Sequence, residues 1–174
     1  MRTALSLLLC LALAVPALAT PAQFTALVIA VADGGAISVL TQDKQQVKIR
    51  LYGIDCPERG HSFGNRAKQA TSDAVFGKNV TVQPVETDRD GQMVAIVLMP
   101  GGRSLSEHLV REGLAWVLAK NCTQEDRCAP LRRLEQSAKM QKRGMWEDKT
   151  AAPQQGWSIF PAAGGSNMPG SAPK

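Results

Sequence analysis

Aromatic residues are scarce in this chain. Phe24, Phe63, Phe76, Phe160, Tyr52, Trp116, Trp146 and Trp157 are all it has among 174 residues, so it offers no row of rings on which successive bases could stack. Histidine occurs only at positions 61 and 108. Neither lies near Cys122 or Cys128 in sequence, and a Cys/His metal centre on that pair would lack half of its ligands. Long apolar runs are missing after the first twenty residues. The single run, Ala4 to Val15, follows the positive start Met1-Arg2 and precedes the small-x-small triplet Ala17-Leu18-Ala19. That order predicts a cleaved export signal over residues 1–19. The run is too short to span a bilayer, and Leu9 before Cys10 denies the small residue that a lipid-attachment site needs. No later segment reads as transmembrane, and no internal repeat is present.

What remains after the leader is about 155 residues, enough for one domain with a proper core. The whole chain carries 20 Lys+Arg against 15 Asp+Glu, a net charge of +5. Loss of Arg2 with the leader reduces this by one. A mild basic excess suits a polyanionic partner without defining it. Three cysteines stay with the mature chain. Cys122 and Cys128 lie six apart in the polar stretch N-C-T-Q-E-D-R-C, which in an oxidising compartment predicts a disulfide. A metal pair is the competing reading, and it lacks two further ligands. Cys56 is then the odd thiol, in a D-C-P-E turn; as a nucleophile it would need a base, for which His61 is the neighbour in sequence.

Short strands dominate the first hundred residues. Phe24–Ala32, Ala36–Leu40, Gln45–Tyr52, Asn79–Glu86 and Met93–Met99 alternate or carry β-branched residues, and D-G-G, T-Q-D-K, D-R-D-G and P-G-G punctuate them. A helix over about Asn65–Phe76 presents Ala67, Ala70, Ala74 and Val75 on one side and stops at Gly77. Ser104-Leu105-Ser106-Glu107 is a capping box opening Leu105–Glu112, closed by Gly113. There Leu105, Leu109 and Val110 form the buried stripe, so His108 reads as a solvent or packing residue. A last helix, about Ala129–Lys142, buries Leu131, Leu134 and Ala138 and turns Arg132, Arg133, Lys139, Lys142 and Arg143 outward, more simply a solvated face than a phosphate-binding one. Trp146 is expected to fold back on the barrel. These elements predict an α+β domain over residues 20–148, a five-stranded OB-type Greek-key β-barrel with about three α-helices. Residues 149–174 are rich in Pro, Gly, Ala and Ser and read as a flexible tail, with Trp157, Ile159 and Phe160 as a short anchor onto the domain.

Chemistry concentrates in Ile49 to Gly60, I-R-L-Y-G-I-D-C-P-E-R-G. Alternation along the strand predicts Arg50, Tyr52 and Ile54 on one face and Leu51 and Gly53 on the other. Asp55 falls at the strand end, and Pro57 turns the chain so that Glu58 comes back toward it. One guanidinium and two carboxylates at the mouth of a sheet suit a hard cation and a phosphate, the arginine taking the phosphate bidentately. A surface turn with a stray ion pair is the plainer reading of the same residues.

R-L-Y-G-I-D-C-P-E resembles the signature of the staphylococcal nuclease family, R-L-x-x-I-D-x-P-E. The resemblance extends from about Phe24 to Trp146 through V-A-D-G-G-A-I (31–37), D-R-D-G-Q-M-V-A (88–95), L-V-R-E-G-L-A-W (109–116) and R-G-M-W (143–146). It implies the OB-type barrel and calcium-dependent hydrolysis of nucleic-acid phosphodiesters. It further implies that Asp55 and the backbone carbonyl of Cys56 ligate the cation, that Glu58 acts on the attacking water, and that Arg50 holds the phosphate.

Two charged side chains of the family's pattern are missing. Gly35 stands where the D-G-D-T turn supplies a second metal carboxylate, and Gln92 stands where the D-x-Y-G-R loop supplies a second arginine. Asp90 also replaces the loop's tyrosine. Loss of one preorganised donor to a developing anion costs roughly 10²–10³ in rate, and two independent losses roughly 10⁴–10⁶, although residues acting as a unit are not additive. Asp33 or Asp90 could turn to the metal, and Arg89 could take the place of the missing arginine. The sequence therefore predicts an exported, monomeric nuclease-like protein with calcium weakly held and hydrolysis weak or absent. An active nuclease using substitute ligands stays open, as does a non-catalytic OB module for nucleic acid or a protein partner.

Overall fold

Alternating β-branched residues build the barrel. The computed structural model describes residues 22–58, 60 and 62–147; the leader, the tail with Trp157–Phe160, and His61 lie outside them. Five strands, β1 (Phe24–Asp33), β2 (Ala36–Leu40), β3 (Gln46–Leu51), β5 (Asn79–Thr87) and β6 (Met93–Leu98), close in the order β1-β2-β3-β6-β5. All neighbours are antiparallel except β3 and β6, which run parallel. Closure leaves no open sheet edge. Val28, Ile37, Val39, Ile49, Leu51, Val80, Val82 and Val97 fill the interior, each nearly inaccessible. Register shifts in β1 near Ala30 and Ala32 bend the strand into the turn at Asp33. The expected α+β barrel of OB type with three α-helices is what the described residues form.

The first helix, α1 (Ser62–Val75), starts about one turn earlier than the alanine stripe indicates. It buries Ala67, Val75 and Thr71, and the Thr71 hydroxyl donates to the Gly34 carbonyl at 2.8 Å. Gly77 ends it with φ near +70°. The second, α2 (Leu105–Arg111), is capped by Ser104, whose Oγ accepts from the Glu107 N–H at 3.4 Å. The third, α3 (Glu125–Met140), begins four residues before the expected start. Glu125 and Asp126 complement the helix N-terminus there, so Cys128 is helical and Pro130 lies inside the helix. Its outward cations are partly engaged with their own helix: Arg132 pairs with Glu125, and Lys139 with Glu135 at 2.9 Å. Trp146 does not return to the barrel. It lies against the Gly113 turn with Lys139 over its ring at 4.5 Å, and Met145 is the residue fully buried there.

Two features escaped strand periodicity. Ile54–Asp55 forms a short strand, β4, paired antiparallel with β7 (Trp116–Val117). Tyr52 does not share a face with Arg50, because the strand ends at Leu51 and Gly53 takes φ near +75°. The Tyr52 ring turns instead toward α3. Its hydroxyl accepts the N–H groups of Thr123 and Gln124, both at 3.0 Å, and sits 3.8 Å from Cys128 Sγ. Cys128 is disulfide-bonded to Cys122, with a Cα separation of 5.7 Å. One tyrosine thus ties the end of β3 to the start of α3.

Reducing the Cys122–Cys128 bond is expected to cost about 2 kcal/mol, the loop-closure entropy of so short a ring; urea unfolding with and without reductant measures it, and coincident curves would refute the estimate. Tyr52→Phe keeps the packing and strips two N–H groups of their acceptor. It is expected to cost about 1–3 kcal/mol in the same assay; an unchanged midpoint would show the hydroxyl to be dispensable.

Candidate active site

The outward face of the first three strands is lined by small residues. On β3, Ile49 and Leu51 point into the barrel while Lys48 and Arg50 point out. Their partners across β2 are Ser38 and Ala36. With Ala32 from β1 and the Gly35 turn, these short side chains leave a cavity of about 400 Å³. Its wall also holds Asp33, Lys48, Arg50, Asp55, Cys56, Glu58 and Gln92.

Hydrogen bonds fix the D-G-G turn. Asp33 Oδ1 accepts the Gly35 N–H at 2.8 Å, and the Leu51 N–H donates to the Gly35 carbonyl at 2.8 Å. Gly34 is obligatory, since a Cβ there would fall 2.7 Å from Ala67 Cβ and 2.9 Å from Cys56 Sγ. Gly35 is different. A Cβ at that position would stand 3.8 Å from both Asp33 Oδ1 and Cys56 Sγ, ordinary contact distances, so the turn has room for the side chain it lacks.

Asp55 arrives on β4 and is buried. Its Oδ1 accepts the N–H of Cys56 at 3.0 Å. Burial raises its carboxyl above the ordinary value, against the lowering effects of the Cys56 N–H, Arg50 and Lys120, and Asp33 adds to the rise. Burial pushes the Cys56 thiol up still further, helped by Asp55 and Asp33. A buried thiol beside two carboxylates stays protonated and is no nucleophile. Glu58 is exposed on the rim beyond the buried Pro57.

Gln92 closes the wall from the loop before β6. Asp88 Oδ1 accepts the N–H groups of Asp90 at 3.0 Å and Gln92 at 2.8 Å, and the Asp88 N–H donates to the Gln92 carbonyl. This tight turn leaves Arg89 and Asp90 exposed and outside the cavity wall. Arg50, Asp55, Cys56, Glu58, Gly35 and Gln92 are therefore brought together, and Arg89 is not. His108 lines a separate hollow with Asp73 and Lys78.

A smaller cavity of about 140 Å³ shares Arg50, Ile54 and Asp55 with the first and adds Asp88, Leu118, Lys120 and Asn121. The residues missed from sequence are thus Lys48 and Lys120. Lys48 stands two residues from Arg50 on one strand, and strand alternation carried that signal. Lys120 follows β7, and only the β4–β7 pairing brings it near Asp55, so no local pattern announced it.

Known proteins with the same pattern place this architecture. Residues 48–148 match the family described as staphylococcal nuclease homologue. The chain is 34% identical over 138 residues to a micrococcal nuclease of Shigella flexneri, covering 75% of this chain and 78% of that one. It is 36% identical over 130 residues to an uncharacterized endonuclease of Escherichia coli O157:H7, covering 75% and 82%. Protein ParB of Escherichia coli is 35% identical over 156 residues, covering 84% and 86%. The chain, with its closed five-stranded barrel and its R-L-Y-G-I-D-C-P-E segment, belongs to the staphylococcal nuclease family.

Proposed function

We propose that this protein is an exported nucleic-acid-binding member of its family whose phosphodiester hydrolysis is weak or absent. The observation that carries the reading is that Gly35 and Gln92 line the same cavity as Arg50, Asp55 and Glu58. By the resemblance, the first position would carry a metal carboxylate and the second a guanidinium for the phosphate, and here neither carries charge. Arg50 is left to hold the phosphate by a bidentate contact, Gln92 can add one neutral hydrogen bond, and Glu58 is placed to accept a proton from water at the rim. Export is supported by the leader pattern of residues 1–19 and by the disulfide, which suits an oxidising compartment.

The family's hydrolysis depends on calcium, whose role is to neutralise charge on the phosphate. Calcium takes roughly six to eight oxygen ligands. Among the described residues no group of three or more His, Cys, Asp or Glu side chains is arranged to hold a metal ion. Asp33 and Asp55 each give an oxygen to a main-chain N–H. Asp55 and the Cys56 carbonyl would supply few of those ligands, so calcium is weakly held and phosphate binding rests on Arg50 and the neighbouring cations.

Asp55 then carries a cost. Folding raises its carboxyl, so the folded chain takes up this proton more readily than the unfolded one. The associated stability is present at low pH and is lost as pH rises from the ordinary value of 3.8 through the raised one. At neutral pH the buried charge destabilises the fold. Asn at this position keeps an oxygen for the Cys56 N–H and removes the charge.

Asp55→Asn is accordingly expected to melt above the wild type at pH 7 in chelator, with the gap shrinking toward pH 4; a gap independent of pH would contradict the assignment. In hydrolysis of single-stranded DNA and RNA with calcium, magnesium, manganese or chelator, the wild type is expected to be nearly silent. Gly35→Asp/Gln92→Arg is expected to gain at least roughly 10²-fold, and adding Glu58→Gln to that pair to abolish the gain. Wild-type cleavage at ordinary enzyme concentration that disappears in Glu58→Gln would overturn the proposal in favour of an active nuclease with substitute ligands.

A further inference from the structure

The phosphate site of this chain has lost one cation at position 92, yet the same two cavities hold two others. Lys48 lies on the wall of the larger cavity with Arg50, and Lys120 lies on the wall of the smaller one, which also contains Arg50. Arg50 is thus common to both, and each cavity adds one lysine. Lys48 and Arg50 are i and i+2 on the outward face of β3, a separation of about 6.6–6.8 Å along the strand. That is on the order of the step between successive phosphates of an extended single strand. Ser38 and Ala36, opposite them on β2, are too short to obstruct a backbone lying there.

Lys120 comes from a separate segment that the fold anchors. The Leu118 N–H donates to the Gly53 carbonyl at 3.0 Å, β7 pairs with β4, and the Cys122–Cys128 bond anchors the chain immediately after it. Its charge lowers the Asp55 carboxyl, which places it within electrostatic reach of the site. The acidic groups facing these cavities are Asp33, Asp55, Glu58 and Asp88. Three of the four turn an oxygen to main-chain N–H groups: Asp33 to Gly35, Asp55 to Cys56, and Asp88 to Asp90 and Gln92.

We propose that Lys48, Arg50 and Lys120 form a track for the sugar-phosphate backbone of one single strand, the lysines holding the phosphates on either side of the one at Arg50. This rests on the reading of the chain as a nucleic-acid binder and adds residues and polarity to it. The track runs across the mouth of the barrel from β3 to the segment after β7. It compensates in binding, though not in transition-state charge, for the arginine absent at position 92.

The test is the salt dependence of binding to a fluorescent single-stranded oligonucleotide in chelator. Wild type is compared with Lys48→Gln, Lys120→Gln, the double variant, and Lys44→Gln as a charge control. Lys44 lies in the turn at the far end of the β2–β3 hairpin from Arg50. Each single substitution at 48 or 120 is expected to weaken binding several-fold at low salt and to reduce the slope of log K against log salt by about 0.7, the double by about 1.4. Lys44→Gln is expected to leave the slope unchanged. Unchanged slopes at 48 and 120, a change in only one of them, or an equal change at 44 would each overturn the track. Circular dichroism of every variant separates these outcomes from misfolding. If the wild type itself shows no salt-dependent binding, the nucleic-acid reading fails first and the track with it, a result distinguishable from loss in the variants alone.

Discussion

Between Arg50 and Asp55 the chain must leave the barrel wall and come back across its mouth, and Gly53 is where it does so. The positive φ of this residue ends β3 after Leu51 and allows β4 to begin one residue later. No other residue type serves there: a Cβ on Gly53 would lie 2.8 Å from Cys122 Sγ and 3.2 Å from Leu131 Cδ1. The close approach matters because the same turn accepts the Leu118 N–H and presents Tyr52 to the start of α3. The disulfide, the third helix and the β4–β7 pair therefore all converge on Tyr52 and Gly53, between the arginine and the aspartate. If that turn opened, Arg50 would remain on its strand, but Asp55 and Lys120 would lose their positions relative to it.

The site that results carries a tension in charge. Three carboxylates share the larger cavity with one arginine and one lysine, and the most deeply placed of them, Asp55, resists ionisation because burial outweighs the help of Arg50 and a main-chain N–H. The turn at Gly35 retains the backbone hydrogen bonds and the free space for another acidic side chain without having one. In the same way the Asp88 loop keeps its internal hydrogen bonds and ends in a neutral Gln92. Both loops retain well-formed local geometry around altered side chains.

Much of the barrel could be read before any coordinate was known. Each of the five strands falls within about one residue of its expected bounds at either end, since inward Val, Ile and Leu and outward polar residues repeat with the period of a strand. The helices were less exact at their starts. The alanine stripe of α1 begins after its first turn, and the acidic residues that begin α3 looked like part of a cysteine loop. Alternation puts Tyr52 on the face of Arg50, but β3 ends at Leu51 and the turn that follows sends the Tyr52 ring elsewhere.

What the sequence by itself determined is local. It set the alternation that puts Arg50 outside and Leu51 inside, the glycines that permit the turns, and the spacing of Asp55 and Glu58 about Pro57, since each depends on neighbours a few bonds away. The tertiary structure alone decided which distant residues meet there. Barrel closure brings Gln92 beside Arg50, and the β4–β7 pairing brings Lys120 to Asp55. It also decided that Arg89, three residues before Gln92, stays in solvent. These outcomes depend on the direction in which turns launch the chain and on burial by segments far away in sequence, and side-chain periodicity carries no record of either.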